Sequence, residues 1–279
     1  LDAHALAEDF SKAQLKHEIS QSASSEEATE QTISLEERYT LLDELLKSND
    51  YQTVERNCTI SLDASDKDGE TSWEIRRTNT LENDLVGGLM NDLTDPDILS
   101  PEDTILVYLN TLKNMTAEEL GNYLNADSII STEDPAKISL AEALVKQVHS
   151  TFDYSIGETT VSGYTATVTA NITTFDSDDI LENYQKELDT YLASVDAVID
   201  GSQKRYEKSY SLLLEYIEEN TATKTVETTF TLINDGASWK LEDAGTVFGQ
   251  ALFGTLSSSP VEDLSLIHIS EPTRRRGIS

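Results

Sequence analysis

One cysteine, Cys58, serves the whole chain of 279 residues. A single thiol forms no intramolecular disulfide framework and builds no cysteine-based metal cluster. No apolar run approaches the roughly 20 residues that a membrane-spanning helix needs. Glycine numbers only 12, and no glycine-rich phosphate loop, Walker pattern or Ser-His-Asp order occurs. His4, His17, His149 and His268 are isolated, with no second His or Cys at metal-ligand spacing. Asp66, Asp68 and Gly69 suggest a calcium loop, but Ala64 and Ile75 fall where carboxylates are needed. The expectation is no metal, no cofactor, no catalytic residue and no enzyme.

Basic residues are also few, 20 against 52 acidic ones, for a formal charge of -32. Such a surface repels phosphate backbones and anionic headgroups, which argues against nucleic acid and against electrostatic docking on a membrane. The acids are spread along the chain, so no acidic arm stands out. A hydrophobic content of 38% supports globular domains, and the length suggests two of them.

At its start the chain is already inside a helical pattern (Leu1, Ala5, Leu6, Phe10), so preceding polypeptide is expected. Near its end, Leu264 to Arg274 matches the translation of a common tagmentation adapter. Residues 264–279, His268 among them, are read as a translated sequencing-adapter artefact.

A repeat emerges between the two halves. Leu35, Tyr39, Leu42, Leu45 and Leu46 make a helical stripe opened by a Ser34/Glu37 capping box. A strand over Thr53–Leu62, Trp73-Glu-Ile75 and the helical run Leu85–Leu93 follow. The same order returns with Tyr206, Tyr210, Leu213, Leu214 and Ile217, then Thr225–Ile233, Trp239-Lys-Leu241 and Phe248–Leu256. A turn at Asp68-Gly69 predicts the pairs Ala64–Trp73 and Leu62–Ile75, with Ile60 and a buried, inert Cys58 on the same face. A two-residue turn at Asp235-Gly236 predicts Leu232–Trp239 and Phe230–Leu241.

The second unit carries more. Ser100-Pro101 and Thr116/Glu119 start two helices, and Leu140, Leu144 and Val148 mark a third. Phe152, Tyr154 and Ile156, then Ala166, Val168, Ala170 and Ile172, alternate as an antiparallel hairpin. Leu181, Tyr184, Leu188, Tyr191, Leu192, Val195 and Val198 predict one long helix, broken at Asp200-Gly201-Ser202. Helices bracketing an antiparallel sheet with one apolar face define an α+β class.

This order, with the motifs Val161–Thr173 (VSGYTATVTANIT) and Asp235–Asp243 (DGASWKLED), resembles the nuclear transport factor 2-like (cystatin-like) domains of Gram-positive bacterial surface lipoproteins, many of no assigned function. The resemblance implies a curved antiparallel sheet rolled into a cone around helices. It implies residues 1–95 as the C-terminal half of a first domain and residues 98–256 as a complete second one. It further implies an export signal and a lipid-bearing cysteine upstream of Leu1, and thus an extracytoplasmic place at the cell surface with the membrane reached only through that anchor.

Tyr154, Phe230 and Trp239 are the candidate pocket residues for a small molecule, glycan or peptide in a noncatalytic binding module. The alternatives are a small hydrolase or isomerase using Tyr154 and Glu158 inside the cone, or a structural spacer.

Overall fold

The computed structural model describes residues 1–23, 33–67, 70–124 and 135–257; the Asp68-Gly69 turn and residues 264–279 lie outside these. In the first half, α1 (Ala3–Ser22) is capped by Asp2, and α2 (Leu35–Ser48) opens with the expected Ser34/Glu37 capping box. Strands β1 (Leu62–Lys67) and β2 (Glu70–Ile75) form a separate two-stranded sheet with the predicted pairs Leu62–Ile75 and Ala64–Trp73. Short helices α3 (Asn79–Leu85) and α4 (Leu89–Asp92) follow. The run expected as one helix is split because Gly87 and Gly88 both sit at positive φ.

Two expectations fail in this half. Residues 53–61 carry no ladder, and Cys58 is exposed rather than buried. The cause is simple: β2 pairs with Leu62–Lys67, its last reach being one bond from Arg76 N–H to the Ser61 carbonyl, and backbone N–H and C=O groups beyond that, without a ladder partner, make no strand. Helix α2 likewise buries no side chain fully.

The second half contains α5 (Pro101–Asn114), α6 (Ala117–Tyr123), α7 (Pro135–Thr151), β3 (Asp153–Ser162), β4 (Thr165–Phe175), α8 (Ser177–Leu192), α9 (Val195–Glu219), β5 (Thr223–Asn234), β6 (Trp239–Leu241) and α10 (Ala244–Phe253). The sheet order is β3-β4-β5-β6, antiparallel throughout. The class is therefore α+β, as expected. Val168, Ala170 and Ile172 of β4 and Phe230 and Leu232 of β5 lose all solvent contact, as do Ile105 and Leu109 of α5, Val148 of α7, and Phe248 and Leu252 of α10. Ile19 of α1 and Ala23, its C-cap, join the same core.

The predicted long helix ends at Leu192, because Ser194 accepts from the Ala197 N–H and starts α9 anew. Val195 and Val198, placed on the buried stripe by sequence, are consequently 73% and 80% exposed. The break expected at Gly201 is present as a kink, with φ +72°. No helix among the described residues is long and apolar enough to cross a membrane.

The β5–β6 register differs from expectation by two residues: Leu232 faces Leu241 and Asn234 faces Trp239. Side-chain hydrogen bonding selects the longer loop. The Asp235 carboxylate accepts from the Ala237 and Ser238 N–H groups (2.9 and 3.0 Å) and the Asn234 side chain accepts from Gly236 N–H (2.9 Å). A shift of two preserves the faces, so the apolar side survives the error.

The Lys240 ammonium, 2.7 Å away, and those two N–H groups hold the Asp235 carboxyl far below the usual carboxylate range. A carboxyl depressed in the folded state stabilises above its ordinary pKa, and that contribution is lost as pH falls through the folded value. Asp235→Ala is expected to lower the melting temperature at pH 7, with the gap to the parent protein closing in strong acid; melting curves over a pH series check this.

Candidate interaction surface

The three pocket candidates occupy different places. Phe230 is sealed inside, its ring 5.3 Å from that of Phe248, so the hollow of the sheet at this level is filled by α10. Trp239 is also buried, and its indole N–H donates to Asp97 Oδ1 at 2.9 Å. The same oxygen accepts from the Asn234 side chain at 3.0 Å, which ties the linker before α5 to the β5–β6 loop. Tyr154 lies half-buried at the rim, where its hydroxyl donates to Asn110 Oδ1 at 2.5 Å and Lys113 stands 5.6 Å from its ring. Desolvation pushes the Tyr154 hydroxyl up, partly countered by Lys113, so it is a protonated donor at neutral pH.

Glu158 does not share the face of Tyr154. Ile156 pairs with Ala170 and Thr159 with Val168, so Gly157 and Glu158 together oppose the single residue Thr169. This bulge reverses the alternation: Thr159 points inward in place of Glu158, and the Glu158 side chain is exposed. Glycine is required at the bulge, since a Cβ on Gly157 would stand 2.5 Å from Thr169 Oγ1.

A cleft of about 420 Å³ opens between α1, α2 and α5, lined by Asp9, Lys12, Lys16, Leu45, Asn49 and Asn110 among others. Several of its polar groups are already engaged. Tyr51 donates to Asp9 at 2.9 Å, Lys12 pairs with Glu8 at 2.5 Å, and Asn110 accepts from Tyr154. Among the described residues, no group of three or more His, Cys, Asp or Glu side chains is placed to hold a metal ion.

The most distinctive surface lies on the β1–β2 hairpin. Leu62 and Ala64 share one face with Trp73 and Ile75, while Asp63, Glu70 and Glu74 take the other. The apolar face is open to water: Leu62 is 51%, Ile75 57% and Trp73 63% exposed. Ile60 just before it, Leu35, Tyr39 and Leu46 of α2, and Leu85, Val86 and Met90 beside the two glycines are exposed as well. Sequence patterning marked the hairpin's apolar face correctly and assigned it to a core; the strand and helices that would make that core are what the first half lacks among its described residues.

No protein-family model matches the chain, and no curated protein does. Among solved structures, a candidate lipoprotein of Bacillus subtilis (ycdA) aligns at 13% identity and a TM-score of 0.36, over 67% of this chain. The chain spans 64% of that protein's length, less than two thirds. A likeness of this size defines neither fold nor function.

Three stability changes follow. Phe230→Ala is expected to cost about 3–5 kcal/mol, the range for removing a sealed aromatic, while Trp73→Ser stays within about 0.5 kcal/mol because little is buried there. Asp97→Ala, which strands the Trp239 donor and leaves the Asn234 amide with the Pro96 carbonyl alone, is expected to cost about 1–3 kcal/mol. Denaturant titration of the three variants measures all of these.

Proposed function

We propose that the chain is a noncatalytic extracytoplasmic interaction module of a surface lipoprotein, and that it meets another polypeptide through the open apolar face of β1–β2. In this reading residues 1–95 are the back half of a nuclear transport factor 2-like domain and residues 98–256 a complete one. The supporting observation is the placement of Leu62, Trp73 and Ile75 on one solvent-facing side, bordered by Asp66 and Thr71, with Asp63, Glu70 and Glu74 on the other. Contiguous exposed apolar surface rimmed by polar groups is the usual mark of an interaction site.

A small ligand in the hollow of the sheet has less support, because Phe230 and Phe248 fill it. Catalysis has less still: Tyr154 is a protonated donor at the rim and Glu158 is on the outer side of the bulge. Acidity, threonine-rich strands and the domain resemblance support an extracytoplasmic location and a lipid anchor.

A thermal-shift screen of the full chain against peptidoglycan fragments, glycans, small apolar compounds and strand-forming peptides tests the reading, since a ligand of the native state raises the melting temperature. Peptides are expected to raise it in the parent protein and not in Trp73→Ser. A glycan or small compound that acts equally on both would move the function elsewhere.

A further inference from the structure

Resting on that reading, we propose that residues 53–67 are an open strand position that a β-hairpin from another stretch of polypeptide fills, pairing antiparallel with them as β4 pairs with β5.

The second half of the chain supplies the template. Its order α8, α9, β5, β6, α10 repeats α1, α2, β1, β2, α3, and each hairpin sets a Trp opposite a residue of the preceding strand, Ala64 for Trp73 and Asn234 for Trp239. Superposing those pairs puts Leu62 in the place of Leu232, Ile60 in that of Phe230 and Cys58 in that of Thr228.

Strand β5 owes most of its length to one neighbour. Only Leu232–Asn234 pair with β6, whereas Thr223–Ile233 all pair with β4. The stretch 53–60 occupies the place of residues 223–230, the part of β5 that β4 alone supports, while Ser61 and its counterpart Thr231 each accept one backbone bond, from Arg76 and Glu242. It has no ladder partner among the described residues, and its side chains are exposed. Its alternation, with Val54, Cys58 and Ile60 in phase with Leu62, matches a strand all the same. A strand edge with unpaired N–H and C=O groups beside an open apolar face is the surface that strand addition uses.

The template also specifies the occupant. β4 covers the apolar side of β5 with the alternating apolar residues Ala166, Val168, Ala170 and Ile172, all buried, and places mostly threonines on the other face. Ala166 stands opposite Leu232 and Val168 opposite Phe230, a smaller side chain against a larger one in each pair. The partner is therefore a hairpin whose inner strand alternates apolar residues, small opposite Ile60 and Leu62, with threonine.

A synthetic hairpin of residues 152–176, added to the full-length chain, is the direct probe. Three readouts bear on one event: alkylation of Cys58, the only thiol; hydrogen exchange of amides 53–61; and the emission of Trp73, distinguished from buried Trp239 by the Trp73→Phe variant. Binding is expected to slow Cys58 alkylation and exchange at 53–61 by about tenfold or more and to shift Trp73 emission to the blue. The same peptide with Val168→Asp and Ala170→Asp is expected to do neither. If Trp73 responds while 53–61 stay unprotected, strand addition is overturned and the face remains an interaction surface. If nothing responds up to millimolar peptide, both readings fall. Self-association of the chain alone, reversed by Trp73→Ser, would assign the face to a second copy and overturn the hairpin.

Discussion

A β-strand exists only where something pairs with it, and the contrast between the two halves of this chain follows from that constraint. In the second half, eleven consecutive pairs join β4 to β5. That ladder sets Val168 beside Phe230 and Ala166 beside Leu232, and the apolar face so formed receives α5, α7 and α10. In the first half the same kind of hairpin has no such neighbour among the described residues, and its apolar side chains stay in water.

Local chemistry carried much of the fold into the sequence. Capping residues Ser34, Ser100 and Thr116 start their helices where expected, and period-two alternation placed β3, β4 and the faces of both hairpins. These signals are short-range, so they survive being read one segment at a time. What was not legible depends on partners. The strand over residues 53–61 needed a neighbour, and Cys58 needed that strand in order to be buried. The β5–β6 loop was missed because two side chains, Asn234 and Asp235, outcompeted the shorter turn.

Of the candidate site, Phe230 and Trp239 were recognised as inward-facing, but sequence does not say whether an inward face is hollow. Here Phe248 fills the space beside Phe230, and Asp97 takes up the Trp239 N–H from a linker whose proximity no local pattern announces. The Gly157 bulge shows the same limit for acid–base chemistry: one inserted residue moves Glu158 to the opposite side from Tyr154. The open face on β1–β2 was visible as pattern, and only the three-dimensional arrangement shows that it is bare.

The acids on the far side of that hairpin have their own consequence. An amphipathic two-stranded ribbon with bare edges is the shape from which stacked fibrils grow, strand upon strand at a spacing of about 4.8 Å. In-register stacking would bring each Glu70 and Glu74 against its own copy at that distance, like charges repeated along the whole fibril axis, whereas Asp63 is already paired with Arg76. The hairpin thus keeps its apolar side available to a dissimilar strand while rejecting addition of itself, and a chain bearing -32 overall extends the same rejection to less ordered aggregates.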